Sequence, residues 1–195
     1  MQTNYYFLRQ LSKRLEKELV GMVLAECFSQ EKDELLLGFC NDGKQWRAKR
    51  DFYIKAALHP DFACLNFPDD FRRAGRNSVD LFKELIDLKV VNVRQFLNER
   101  AFGLYFENDF VLLFKMYGNR SNVILLHENK VIDLLHNKLV VDNNIDLDAL
   151  DRELDQSENA FVEKVGKPFF PLLAKKFPNI YKPFQILLGK IFKQF

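Results

Sequence analysis

Asn98-Glu99-Arg100-Ala101-Phe102-Gly103-Leu104-Tyr105-Phe106, Phe110-Val111-Leu112-Leu113-Phe114 and Gly118-Asn119-Arg120-Ser121-Asn122-Val123-Ile124-Leu125-Leu126 follow one another within residues 98–126. Phe102, Leu104 and Phe106 alternate as in a half-buried strand, and residues 110–114 form a continuous apolar run of strand length. Gly118 and Asn119 can supply positive φ at a turn, and Ser121 or Asn122 can hydrogen-bond the local backbone. A hairpin needs neither Arg100 nor Arg120. The fixed fork of guanidinium donors is suited to phosphate, so the two arginines point to nucleic-acid contact. The bland reading of the same residues is a turn next to a solvated Glu99-Arg100 pair that contributes little.

Outward from this stretch the β texture continues. Val91, Val93 and Phe96 precede it, while residues 123–126 and 131–135 complete a meander that Asn143-Asn144 interrupts. Nearer the amino terminus, Phe7, Leu8, Leu11, Leu15 and Leu19 recur at helical spacing, which predicts an amphipathic helix ending at Gly21. Residues 22–28, 35–40 and 63–67 read as strands, and Asn41-Asp42-Gly43-Lys44 as a hairpin turn into a strand over 45–53. A polar loop over 68–77 holds Arg72, Arg73 and Arg76, a secondary basic group. Ser78 is placed to cap a short helix with Leu81, Phe82 and Leu85 on its inner face. Residues 146–165 read as helix, and the rest of the tail as short helical pieces between prolines. Some eight strands with closely spaced turns predict an α+β fold, a β-sandwich or barrel-like core with flanking helices. The division is a β domain over residues 1–145 and a helical segment over 146–195.

The 195 residues are 48% hydrophobic and include 20 phenylalanines, enough for a substantial core and too apolar for a disordered chain. Net charge is +2, but residues 101–160 carry 5 basic against 11 acidic side chains, and residues 161–195 carry 7 against 1. Such a tail favours an anionic partner. Cys27, Cys40 and Cys64 are widely spaced and form no CxxC pair, which fits reduced thiols. Neither a secretory signal nor an apolar run of bilayer length is visible, so a cytoplasmic address is expected. His59, His127 and His136 are isolated in sequence, and neither Asp69-Asp70 nor Asp146, Asp148 and Asp151 has metal-loop spacing. With no nucleophile, phosphate-loop or zinc motif, the expectation is a binding module without catalytic residues, metal or cofactor.

Three stretches together resemble the NFACT N-terminal domain, found in proteins once named fibronectin-binding and now associated with ribosome quality control. They are Asn98-Glu99-Arg100, the run Gly118-Asn119-Arg120-Ser121-Asn122-Val123-Ile124-Leu125, and Val131-Ile132-Asp133-Leu134. The match covers roughly residues 1–140 in order and is most specific over 98–134. Pro168-Phe169-Phe170-Pro171-Leu172-Leu173-Ala174 resembles that family's entry into a helix-hairpin-helix domain. The chain stops ahead of the family's coiled coil and C-terminal NFACT-R domain, as part of a longer protein or a shortened relative would.

The resemblance implies a fold like the N-terminal β-sandwich of formamidopyrimidine-type DNA glycosylases. It also implies binding to tRNA and to the obstructed large ribosomal subunit, with tailing of the stalled chain. Glu99, Arg100, Gly118, Asn119, Arg120, Ser121 and Asn122 would then form the nucleic-acid contact, together with Asn4, which aligns with an aspartate near the family's amino terminus. Three departures bear on activity. Glu99 replaces an aspartate, which moves its carboxylate by about an ångström. Asn4 keeps hydrogen bonding but not charge, and Asn119 displaces Arg120 by one position. Glycosylase chemistry is not expected, since Met1-Gln2-Thr3 has neither the amino-terminal proline nor the glutamate that those enzymes use. The competing expectations are a protein-interaction module of the fibronectin-binding type and a membrane-surface role for residues 164–195, where phenylalanines and lysines interleave.

Overall fold

Leu8, Ser12, Leu15 and Leu19 fall on one face of helix α1 (Tyr5–Leu19) and are buried there. Asn4 caps the helix: its Oδ1 accepts the Tyr6 amide at 2.8 Å and the Phe7 amide at 3.4 Å. The chain leaves the helix through Gly21, whose φ of 90° suits a residue without a Cβ. The computed structural model describes residues 4–41 and 50–152. The strand predicted over 45–53 therefore falls largely outside the described residues. So do most of the helix predicted over 146–165, the helix-hairpin-helix entry and the membrane-surface segment.

Among the described residues, ten strands form two antiparallel sheets. The first contains β1 (Met22–Ser29), β2 (Glu34–Asn41), β3 (Phe52–His59), β4 (Phe62–Asn66) and the short β5 (Val79–Asp80), in the order β4-β3-β2-β1-β5. The second contains β6 (Val90–Gln95), β7 (Ala101–Phe106), β8 (Phe110–Lys115), β9 (Asn122–His127) and β10 (Lys130–Leu134), in the order β10-β9-β8-β7-β6. The second sheet is an uninterrupted meander. Its tightest turn, Glu128-Asn129, has φ of 50° and 61°, the paired positive angles that match strand twist in a two-residue hairpin. The sheets meet at an edge. Gly21 N–H donates to the Val90 carbonyl at 2.9 Å, and Leu24 exchanges bonds with Leu88 and Asp87 at 3.0 and 2.9 Å.

A shared core of residues from α1 and both sheets includes Leu15, Leu37, Ile54, Phe102, Leu104, Phe114 and Leu125. Phe102 and Phe114 stack across β7 and β8 with centroids 4.9 Å apart. The second sheet is covered on its other face too, where Phe96, Leu113, Ile124 and Leu126 pack with Leu147 and Leu150. Burial on both faces explains why β8 and β9 read as unbroken apolar runs. The first compact unit runs from Met1 to Arg152.

The helix expected after Ser78 is reduced to a single 3-10 turn, Lys83–Leu85. Val79-Asp80 instead pairs with Ser29 and Phe28 of β1. The Ser78 hydroxyl accepts the Arg73 Nε–H at 2.9 Å and caps nothing. Phe82 and Leu85 are still buried, as the apolar spacing required.

Candidate nucleic-acid interface

Two turns of the second sheet lie side by side. One joins β6 to β7 over residues 96–100, and the other joins β8 to β9 through the 3-10 turn Gly118–Arg120. Met116 N–H donates to the Arg100 carbonyl at 2.9 Å and fixes their approach. Gly118, at φ 68°, starts the second turn. Asn119 and Arg120 are exposed at its tip.

Arg100 and Arg120 are both solvent-facing, and among the described residues neither meets a carboxylate. Tyr117 relates them. The Arg100 guanidinium carbon lies 5.5 Å from its ring centroid. Tyr117 and Arg120 line one cavity of about 680 Å³, with Lys138 and Arg152 as further cations and Val140 and Ile145 among its apolar walls. Burial pushes the Tyr117 phenol far above its usual range, and the Glu99 carboxylate that accepts its hydroxyl reinforces this.

Glu99 is itself buried, at 7% exposure. One oxygen accepts its neighbour Arg100's backbone N–H at 2.9 Å, and the other meets Arg152 Nε at 3.2 Å. Its carboxylate is thus folded back into the rim and does not project from it. Ser121 and Asn122, expected to face a ligand, are 2% and 0% exposed. Asn122 begins β9, where its amide donates to Asp142 Oδ2 at 2.8 Å and to the His136 carbonyl at 3.3 Å, and accepts the His136 N–H at 2.9 Å. Their inward placement leaves Arg100, Asn119 and Arg120 as the outward members of the motif.

Behind the rim is a polar cluster that sequence reading missed. Lys115, 6% exposed, pairs with Asp142 and lies 5.2 Å from the Tyr117 ring centroid. His136 Nδ1 lies 3.0 Å from the Ser121 carbonyl, and its Nε2 lies 3.2 Å from Asp33 of the β1–β2 turn. The available signal was a lysine closing an apolar strand and an asparagine opening the next one.

The other predicted residues lie elsewhere. Asn4 caps α1, but the next residue ties the helix to the rim: Gln95 Nε2 donates to the Tyr5 carbonyl and to the Glu99 carbonyl, each at 3.1 Å. The loop arginines are not a uniform reserve. Arg73 is committed to Asp80 at 2.6 Å and lies 4.5 Å from the Phe28 centroid, while Arg72 and Arg76 are exposed. All three sit on the loop that connects β4 to β5 of the first sheet. His127 stacks on Phe110 at 4.3 Å, a packing role. Cys27 and Cys40 are buried free thiols, and Cys64 is partly exposed. Among the described residues no helix is long and apolar enough to cross a membrane.

No family model and no curated protein matches the chain. Solved structures do match. The fold is similar to that of the N-terminal domain of fibronectin-binding protein PavA from Streptococcus pneumoniae. Identity to the PavA domain is 17%, with a TM-score of 0.56 over 67% of this chain and 52% of that one. A fibrinogen-binding protein from Staphylococcus aureus gives 17% identity and a TM-score of 0.56, over 70% of this chain and 51% of the other. The N-terminal part of the fibronectin/fibrinogen-binding protein of Streptococcus suis gives 17% and 0.54, over 67% and 52%. The chain thus spans about half the length of the PavA domain and of the other two. At this identity the shared property is the fold, two antiparallel sheets and a helix.

Proposed function

We propose that the chain is an RNA-binding module of the cytoplasm, without catalytic activity of its own, that grips phosphates at the rim formed by the β6–β7 and β8–β9 turns. The observation that carries this reading is the exposure of Arg100 and Arg120, without carboxylate partners among the described residues, Arg100 over the Tyr117 ring and Arg120 lining a cavity with it. Exposed guanidinium groups are free to form the bidentate phosphate contacts to which their geometry is suited. The resemblance of residues 98–134 to the NFACT N-terminal domain supports tRNA and the obstructed large ribosomal subunit as partners. Filter binding of tRNA to the chain and to Arg100→Ala/Arg120→Ala tests the reading; equal affinities would remove it.

A second reading rests on the names of the similar structures, which describe fibronectin- and fibrinogen-binding proteins. Val140 and Val141, 68% and 85% exposed beside the rim cavity, give a protein partner an apolar foothold. Capture of the chain on immobilised fibronectin, lost in Val140→Ser/Val141→Ser, would favour this reading over RNA.

A further inference from the structure

His136 joins the two sheets through its side chain. It follows β10 of the second sheet, and its ring reaches Asp33 in the turn between β1 and β2 of the first. Ring Nδ1 lies 3.0 Å from the Ser121 carbonyl, and Nε2 lies 3.2 Å from the Asp33 carboxylate. A backbone carbonyl and an ionised carboxylate can only accept. A neutral imidazole donates from one nitrogen and accepts at the other, whereas the imidazolium donates from both. An acceptor at each nitrogen therefore matches the doubly protonated ring alone.

The surroundings sharpen this preference. The His136 and Asp33 side chains are 22% and 16% exposed, and Nε2 is closed to solvent, with no other polar partner among the described residues. A ring that loses a proton and keeps Nδ1–H on Ser121 turns a buried lone pair towards a negative oxygen, with no water to relieve it. The other nearby charges are matched or face solvent. Asp142 is neutralised by Lys115, and Glu34, next to Asp33 in the chain, pairs with Lys55 at 2.7 Å. Asp133 is exposed and accepts the Leu134 N–H at 2.8 Å, while Lys32 and Lys138 are exposed. Asp33 is thus the charge that answers the ring. Its backbone is held without the ring, since its carbonyl accepts the Leu58 N–H at 2.7 Å. On the other side, the His136 backbone is bonded to the Asn122 side chain, and residues 136–139 lead directly into the Val140–Asn144 wall of the rim cavity.

We propose that His136 and Asp33 form a proton-operated clasp between the two sheets, closed while the ring is an imidazolium and released when it becomes neutral. The closed clasp belongs to the protonated, folded chain. Its stabilisation is therefore present on the acid side of histidine's ordinary value of about 6.5 and is lost as pH rises beyond it. Release frees the connection after β10, so residues 136–144 open locally while the ladders of the second sheet stay closed. The clasp uses neither Arg100 nor Arg120, so it stands whether or not the rim binds RNA.

The test is a double-mutant cycle on the full chain with Asp33→Asn and His136→Asn, followed by thermal melts on both sides of the histidine range. Asn tolerates the φ of 61° at position 33, and at position 136 its amide keeps a donor for the Ser121 carbonyl, so both variants are expected to fold. At about pH 5.5 each single variant is expected to lower Tm by at least about 2 °C, with the double variant no worse than the weaker single. At about pH 8.5 Asp33→Asn is expected to melt within about 1 °C of the unsubstituted chain. Additive losses at the acid pH would overturn the contact, and an equal loss from Asp33→Asn at both pH values would overturn its dependence on the proton. Hydrogen exchange on the unsubstituted chain decides the local opening without any variant. Corrected for intrinsic rates, amides of residues 136–144 should exchange at least about threefold faster, relative to those of β8, at the higher pH. The same ratio at both pH values would overturn the release.

Discussion

Lys115 and Asn122 face each other across the β8–β9 ladder, and both side chains close on the carboxylate of Asp142. Asp142 lies in the 3-10 segment Val140–Asn144, so this pairing fixes one wall of the rim cavity to the sheet. Removing Asp142 strands a buried ammonium. Asp142→Ala is expected to destabilise the fold by about 3–5 kcal/mol in denaturant unfolding. Lys115→Met/Asp142→Leu, which removes both charges and fills the space, is expected to recover most of that loss. If the double variant proved as unstable as the single, the pair would be more than a matched buried charge.

Tyr117 gives the fold an alkaline limit. Burial first, and then the Glu99 carboxylate, hold its phenol proton more tightly in the folded state than in the unfolded one. Tyr53 and Tyr105 are also shifted upward, mainly by burial. The folded chain therefore binds more protons than the unfolded chain above the ordinary tyrosine value of about 10, and stability falls as pH rises from there. The stabilisation is fully present below that value. Thermal melts between about pH 8 and about pH 11 should show Tm falling with pH, and Tyr117→Phe should flatten the fall. An unchanged slope in the variant would show that Tyr117 is not a source of the limit.

Gly38 is required for a different reason than flexibility. A Cβ built there would stand 2.8 Å from Arg50 Cγ, Glu26 Cγ and Glu26 Oε1. Glu26 and Arg50 form a 3.1 Å pair across the glycine, and both are largely shielded from solvent. Gly38→Ala is expected to push that pair apart at a cost of about 1–3 kcal/mol, measured by urea unfolding. In an Arg50→Ala/Glu26→Ala background the same substitution should cost far less.

The second sheet could be read from the sequence because its signals are local. Phe102, Leu104 and Phe106 alternate, and residues 110–114 and 123–126 are apolar runs set by burial on both faces. The first helix was legible for the same reason, from Leu8, Leu15 and Leu19. What escaped was non-local. Ser78 has the chemistry of a helix cap, but Asp80 and Val79 found partners in Phe28 and Ser29, some fifty residues upstream, and the strand prevailed. Ser121 and Asn122 have the composition of an exposed turn. Their burial depends on Asp142 and His136, whose positions local spacing does not encode. Arg100 was read as opening a strand and Arg120 as part of a turn, and their common neighbour Tyr117 emerged only once the two turns were seen to adjoin.

Glu99 and Arg100 are adjacent in sequence but are expected to act differently on RNA, and salt dependence separates them. Arg100 is exposed and would neutralise a phosphate directly. Arg100→Ala should therefore weaken binding and reduce the slope of log affinity against log salt by about 0.7–0.9. Glu99 is buried against Tyr117 and Arg152 and reaches no ligand, so Glu99→Gln changes only how the rim is held. Its expected effect is a modest loss of affinity with an unchanged slope, since the number of phosphates neutralised stays the same. The same substitution frees Arg152 from its carboxylate, so a slope that steepened by one contact would mean that Arg152 had joined the phosphate grip. A slope that fell as far as in Arg100→Ala would instead mean that Glu99 holds Arg100 in place, and the division of labour between the two would have to be redrawn.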